Sequence, residues 1–303
     1  MQQTIDSIQI NFNPEQLFIL NLCLAFIMFG VALDLRFENF RALIRSPRAP
    51  LVGLSSQLIL LPILTLGLVF LFRPAPSIAL GMILIAACPG GNVSNFAVHL
   101  ANANAALSVL MTSVSTLAAI MVTPLYFTYL APFVPGAESL RENIYVDPAD
   151  MAGTIVQLIL VPLFIGMFLH YRFPEVTGKL KRPVRVLSMA IFLGFVVFAV
   201  YGNFENIVNY LHIVFLIVLV HNSLALLTGY LWAKGNGLSR QDARAISIET
   251  GIQNSGLGLI LIFNFFHGLG GMAMIAAWWG VWHLLSAFGL AMVWRERSVL
   301  SVD

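Results

Sequence analysis

The chain is short of charge. Only 10% of its 303 residues are Asp, Glu, Lys or Arg, against roughly a quarter in soluble globular proteins. That scarcity excludes an ordinary water-soluble domain of this length. Cysteine is nearly absent: Cys23 and Cys88 are the only two, both in apolar runs and far apart. A disulfide framework and a cysteine-based metal site are therefore excluded. No Cys or second His stands at metal-ligand spacing from His221 or His283, so zinc and iron are not expected. There is no nucleotide-binding loop, no low-complexity tract and no patch suited to nucleic acid. There is also no His-Glu-x-x-His and no pair of intramembrane aspartates, so an enzyme is not expected.

What is present is apolar. Hydrophobic residues make up 59% of the chain, and the mean hydropathy is +0.87. The apolar runs approach the ~20 residues that a spanning helix needs and lack the alternation of a membrane barrel. The sequence predicts an all-α polytopic membrane protein with nine spans, at 17–34, 50–72, 77–100, 105–130, 151–170, 186–202, 210–233, 245–265 and 272–294. The first run has no basic residue before it, unlike a cleaved signal peptide, and is expected to be a span.

The connecting segments alternate in charge. Of the 16 Lys and Arg, fourteen fall in one set of segments, from Arg36 to Arg48, Arg172 to Arg185, Lys234 to Arg244, and at Arg295 and Arg297. The other set holds only Arg73 and Arg141. Basic loops face the cytoplasm, which predicts an outer N-terminus and a cytoplasmic C-terminus. The longest outer loop, near 131–150, carries Glu138, Glu142, Asp147 and Asp150, and is read as solvated. The expected location is the cell membrane, most simply a bacterial inner membrane.

Against this background one acid stands out. Glu249 lies in the apolar stretch 245–265, which contains no Lys or Arg. An acid at membrane depth costs several kcal/mol, about 2.5–3.5 on insertion scales, and usually marks an ion or substrate path. Around it run Glu249-Thr250-Gly251-Ile252-Gln253-Asn254-Ser255-Gly256, oxygen-bearing side chains among helix-weakening glycines. The third span has its own interruption, Pro89-Gly90-Gly91-Asn92-Val93-Ser94-Asn95. Proline and paired glycines remove or weaken helix hydrogen bonds. Backbone freed at that depth is tolerated only where protein or a water-filled cavity satisfies it. Two interrupted helices, one in each half, point to the binding region of an inverted-repeat secondary transporter. The plainer alternatives are a kink for close packing at Pro89 and a protonated structural acid at Glu249. Ser108, Thr112 and Ser115 share one helix face in the fourth span, as ligands or as small-residue packing. Gln57, His221, Asn222 and His283 are also intramembrane, each as interhelical glue or as part of a site.

At these motifs the chain resembles the bile acid sodium symporter family. The matching stretches are Ile27-Met28-Phe29-Gly30, Cys88-Pro89-Gly90-Gly91-Asn92-Val93-Ser94-Asn95, Ala106-Leu107-Ser108, Thr112-Ser113-Val114-Ser115-Thr116-Leu117, His221-Asn222, Ile248 through Leu257, and Val281-Trp282-His283. They run in family order over nearly the whole chain. The resemblance implies a nine-span form with two crossed discontinuous helices. It implies a core domain, about 50–130 and 210–294, and a panel domain, about 17–34 and 151–202, that rock against each other. It further implies two sodium ions and no organic cofactor. One ion would use Ser94, Asn95, Ser108, Thr112 and Glu249. The other would use Gln57, Glu249, the carbonyls of Thr250 and Ile252, and Gln253. All are oxygen ligands, as a hard cation requires. The implied substrate is an organic anion, a bile acid or a small carboxylate, held by Asn92, Asn254 and His283.

Two positions depart from the family pattern: Asn92, where relatives often carry Thr, and Leu284, where many carry Asn after the Trp-His pair. Both touch the implied substrate site and spare the ion ligands, so a small metabolic carboxylate is expected over a bile acid. Sodium-coupled symport is the expected activity. A proton-coupled carrier of the same fold, or an uncoupled channel or receptor, is the alternative.

Overall fold

A computed structural model describes residues 5–8, 14–33, 46–91, 93–140, 145–202 and 204–299. Regular structure among them is helical, save one isolated antiparallel bridge between Gly90 and Gln253. The helices are α1 (Pro14–Ala32), α2 (Arg48–Phe72), α3 (Pro76–Ala87), α4 (Val93–Leu100), α5 (Ala105–Leu130), α6 (Pro148–Arg172), α7 (Pro174–Gly202), α8 (Phe204–Gly235), α9 (Arg240–Gly251), α10 (Ser255–Phe265) and α11 (Gly270–Val299).

Among the described residues, five helices are long and apolar enough to cross a membrane: α2, α6, the stretch of α5 that runs on to Phe133, and the parts His212–Gly235 of α8 and Gly270–Arg295 of α11. Shorter apolar helices occupy Leu17–Gly30, α3 and α10. Large apolar side chains such as Phe18, Ile63, Phe164, Phe168 and Leu216 stand exposed on the outer surface. Exposed apolar area on that scale suits hydrocarbon rather than water as the surroundings.

Local chemistry sets the helix boundaries. Proline opens α3 and α6, at a position where its missing N–H costs nothing. Asn104, Asp147, Ser239 and Asn254 cap α5, α6, α9 and α10, each accepting a first-turn amide on its side-chain oxygen. In α2 and α6 a single wide π-turn, Ser56–Leu60 and Val156–Leu160, comes just before Pro62 and Pro162. A proline cannot donate to the carbonyl four residues back and clashes with it; a π-turn there lets the helix continue past the obstacle.

The core lies where α3, α10 and α11 meet. Every residue of α3 from Ser77 to Ala87 is buried, so this helix is surrounded by protein on all sides. Its Gly81 faces Met272 so closely that a Cβ there would sit 2.8 Å from the Met272 Cα. At one end of the molecule Arg48 Nη2 donates to the Asn236 carbonyl (2.8 Å) and Arg244 Nη1 to the Ala101 carbonyl (3.2 Å). At the other end the Ser77 amide donates to Asp6 Oδ1 (2.9 Å) and the Gly270 amide to the Ile8 carbonyl (2.8 Å).

Candidate functional site

The two interruptions predicted from Pro-Gly-Gly and from the glycines around Glu249 meet each other in the middle of the molecule. Helix α3 stops at Ala87 and α4 starts at Val93; α9 stops at Gly251 and α10 starts at Ser255. The loose strands between them run antiparallel and exchange two backbone hydrogen bonds. The Gly91 amide donates to the Ile252 carbonyl (3.1 Å), and the Asn254 amide donates to the Pro89 carbonyl (2.8 Å). Backbone freed by each break is thus partly satisfied by the other. Side chains complete the accounting. Thr123 Oγ1 donates to the Ala87 carbonyl (2.6 Å), and Ser115 Oγ accepts from the Gly90 amide (3.2 Å). Asn222 Nδ2 donates to the Gly251 carbonyl (2.7 Å).

Glu249 occupies the last turn of α9 and is fully buried. Its carboxylate faces hydroxyls from α4 and α5. Ser94 Oγ and Ser108 Oγ donate to Oε1, and Thr112 Oγ1 lies 3.1 Å from Oε1 and 3.0 Å from Oε2. Ser108 Oγ also reaches Asn95 Oδ1 (2.8 Å), Ser94 Oγ reaches the Gly91 carbonyl (2.7 Å), and the Ser94 and Thr112 hydroxyls are 3.5 Å apart. The structure therefore brings together all five residues expected for the first ion.

Hydroxyl hydrogens are few there. Seven close oxygen–oxygen contacts have only three hydroxyl hydrogens to share. A hydroxyl has one proton and two lone pairs, and a carboxylate accepts only. The cluster is rich in lone pairs and poor in protons, which suits a hard cation with oxygen ligands.

The residues expected for the second ion lie on the other side of Glu249. Gln57, in the π-turn of α2, and Gln253, in the break, are both fully buried. Gln57 Nε2 donates to the Glu249 carbonyl (3.2 Å), and Gln253 Nε2 donates to the Thr250 carbonyl (2.9 Å). Both amide oxygens, Gln57 Oε1 and Gln253 Oε1, are buried without a hydrogen-bond partner. An unpaired buried acceptor normally costs about 1–3 kcal/mol. Two of them, on side chains that hold the neighbouring Glu249 and Thr250 carbonyls, again fit a cation. The Thr250 and Ile252 carbonyls each already accept one hydrogen bond and keep a second lone pair. Gly90 packs against both Gln57 and Glu249: a Cβ on it would stand 2.9 Å from Gln57 Nε2 and 3.0 Å from Glu249 Oε2.

The residues expected to hold substrate are less closely tied. Asn92 lies outside the described residues. Asn254 caps α10 through its Oδ1, and its Nδ2 points to the Met28 sulfur of α1 at 3.9 Å. His283 is buried in α11 with its Nδ1 unpartnered. No hydrogen bond links Asn254 and His283.

Some contacts were not expected. Ser56 and Thr250 meet through their hydroxyls (2.9 Å), and Ser286 Oγ donates to Asn222 Oδ1 (2.6 Å). Arg244, assigned to a loop by sequence, is buried in α9 with its guanidinium 5.6 Å from the Trp294 ring. A repeated segment could have been found in the sequence: residues 56–62 read SQLILLP and residues 156–162 read VQLILVP. It marks both π-turns.

A family model for the sodium bile acid symporter family matches residues 21–210. The chain is 34% identical to an uncharacterized sodium-dependent transporter of Bacillus subtilis (strain 168), over 92% of this chain and 83% of that protein. It is 31% identical to a probable chloroplastic sodium/metabolite cotransporter of Oryza sativa subsp. japonica, over 92% of this chain and 64% of the relative. It is 27% identical to a sodium-dependent organic anion transporter of Bos taurus, over 85% and 71% respectively. These relatives are transporters, not enzymes, and they agree with the apolar helices in describing a multi-pass membrane protein. The chain belongs to the sodium bile acid symporter family.

Proposed function

We propose that this chain is a sodium-coupled symporter that carries an organic anion by alternating access. The observation that carries the reading is the buried, proton-poor oxygen cluster around Glu249 at the junction of two broken helices. One sodium ion is assigned to Ser94, Asn95, Ser108, Thr112 and Glu249. A second is assigned to Gln57, Gln253, Glu249 and the Thr250 and Ile252 carbonyls. A single carboxylate shared between two cations offsets part of the charge of both. Sodium here is cargo, bound and released in each cycle.

The substrate is assigned to the same junction. Helices α4 and α10 both begin there, and helix N-termini favour anions. Asn92, Asn254 and His283 are the side chains proposed to hold it. The names of the bovine and rice relatives support an organic anion or metabolite as the class. A small carboxylate is the first candidate and a bile acid the second.

The moving parts are proposed to be a core of α2–α5 and α8–α11, and a panel of α1, α6 and α7. Close packing within the panel supports this division. A Cβ on Gly166 of α6 would meet the Ala32 Cβ of α1 at 2.5 Å, and one on Gly30 of α1 would meet Ser188 Oγ of α7 at 3.1 Å. The opposite directions of the two broken helices support an inverted repeat, with nine spans in all. The basic segments support a cytoplasmic side that puts the N-terminus outside, with a bacterial inner membrane as the proposed location.

The test is uptake into proteoliposomes. An inward sodium gradient should drive accumulation of a carboxylate, and an equal potassium gradient should not. Accumulation driven by a pH jump in sodium-free medium would instead identify the proton-coupled carrier. Equilibration without accumulation would identify a channel.

A further inference from the structure

The sequence motif His221-Asn222 has no place in the ion and substrate assignments above, yet Asn222 is fully buried beside the second break. It lies on α8, the helix that packs most intimately on α9. Residues 222, 226 and 229 share one face of α8. A Cβ on Gly229 would meet Thr250 Oγ1 at 2.8 Å and the Ile246 carbonyl at 2.9 Å. A Cβ on Gly251 would meet the Leu226 side chain at 2.4 Å. Ser247 Oγ donates to the Leu226 carbonyl at 2.6 Å. Two glycines and one hydroxyl thus allow α8 to lie directly against the end of α9.

Asn222 uses that proximity. Its Nδ2 donates to the Gly251 carbonyl (2.7 Å), and its Oδ1 accepts from Ser286 Oγ of α11 (2.6 Å). A carbonyl can only accept, so the amide nitrogen must face Gly251 and the amide oxygen must face Ser286. Gly251 is the last residue of α9, where helix carbonyls lose their intrahelical donors. Its neighbours on either side, Thr250 and Ile252, carry the backbone carbonyls assigned to the second sodium ion.

We infer that Asn222 is a positioning residue for the ion site, which holds the Gly251 peptide so that the Thr250 and Ile252 carbonyls stay aimed for sodium, and that Ser286 fixes the Asn222 amide in the orientation this requires. The inference rests on the sodium-symporter reading above. Removing the amide donor leaves the Gly251 carbonyl buried without its partner. That peptide then turns toward another donor and takes the flanking ligand carbonyls with it. Groups that orient metal ligands without touching the metal typically affect affinity by about 10–100-fold. Ser286 lies one turn after His283, so the same relay joins the helix of the proposed substrate histidine to the ion site.

The test is sodium binding to purified protein in the absence of substrate, with potassium as the reference ion. Asn222→Ala and Asn222→Leu should each raise the half-saturating sodium concentration about 10-fold, the Leu variant roughly keeping the volume while losing the amide. Ser286→Ala should raise it by a smaller factor, about 2- to 5-fold. The double variant Asn222→Ala with Ser286→Ala should match Asn222→Ala alone, because Ser286 acts through Asn222. Thermal stability in potassium reads any general packing loss separately. Sodium affinity at the wild-type level in both Asn222 variants, or additive losses in the double variant, would overturn the inference while leaving the symporter reading intact. Wild-type protein that does not distinguish sodium from potassium would overturn both.

Discussion

Gln57 meets Glu249 through the backbone and not through the carboxylate. Its Nε2 donates to the Glu249 carbonyl at 3.2 Å, while the Glu249 carboxylate faces Ser94, Ser108 and Thr112. One residue therefore presents a carboxylate to α4 and α5 and a carbonyl to α2. The two groups of candidate ligands sit on different sides of it, so their roles are separable by substitution.

Thr112→Val keeps the shape of the side chain and removes a hydroxyl from the first group. Gln57→Leu removes the side-chain amide from the second. Each should weaken sodium binding by about 10-fold, using the range for removed ligands or their orienting partners as a guide. Each should also turn a sigmoidal sodium dependence of uptake into a hyperbolic one, because one ion site of two is disabled. A sodium dependence that stays sigmoidal in both variants would count against two sites.

Glu249→Gln and Glu249→Ala should separate function from stability. Both should abolish sodium-driven uptake, since neither keeps the charge. Gln retains an acceptor for Ser94, Ser108 and Thr112; Ala leaves three buried hydroxyls to find other partners. An unsatisfied buried group costs about 1–3 kcal/mol, so the Ala variant should melt clearly below the Gln variant in sodium-free buffer. Uptake in the Gln variant with normal sodium dependence would remove Glu249 from the ion path.

The positions of the two breaks were legible in the sequence because their causes are local: Pro89 with two glycines, and Gly251 with Gly256 around polar residues. Glu249 was legible because an acid in an apolar run contradicts its surroundings. Its hydroxyl partners were not, except through the family resemblance. Ser94 and Ser108 lie 155 and 141 residues from it in the chain, and no local pattern encodes such meetings. The paired π-turn segments make the same point from the other side. Gln57 and Gln157 occupy the same place in nearly the same heptapeptide, yet Gln57 is fully buried beside Glu249 and Gln157 is exposed. Local sequence sets the turn; the neighbouring helices decide what the glutamine does.

Gly90→Ala should impair ion binding without touching any proposed ligand. The added methyl group would stand 2.9 Å from Gln57 Nε2, 3.0 Å from Glu249 Oε2 and 3.5 Å from Ser115 Oγ. The first two contacts are tighter than a methyl group keeps, so the ends of the Gln57 and Glu249 side chains must shift, while the Ser115 contact is ordinary. The expected result is a loss of sodium affinity of about 10-fold or more, as for a displaced ligand shell. Sodium titration of the purified variant measures it, and unchanged affinity would show that the close packing of Gly90 on Gln57 and Glu249 does not matter for the ions.

Sidedness has its own test. Residues 48, 101–104 and 236–244 gather at one end of the molecule, and residues 6–8, 77 and 270 at the other. With the first end cytoplasmic, a reporter fused after residue 140 should read outside and one at the C-terminus should read inside. The opposite pattern would invert the assignment, and the same side for both would change the number of spans between them.

Sodium and substrate should strengthen each other's binding. Ser94, Thr250 and Gln253 belong to or adjoin the two broken segments, and those segments hold each other through the Gly91–Ile252 and Asn254–Pro89 hydrogen bonds. An ion that orders Ser94 on one side and Gln253 on the other also fixes the starts of α4 and α10, where the anion is proposed to sit. It adds positive charge beside that anion as well. Coupling between two ligands is reciprocal, with a typical size of about 1–3 kcal/mol, or roughly 5–150-fold in affinity. Titrating a bound carboxylate in sodium and then in potassium should show a difference within that range. Titrating sodium with and without the carboxylate should return the same factor. Equal carboxylate affinity in the two salts would mean that the ions and the anion do not share these segments, and the symport mechanism would fail even with its fold intact.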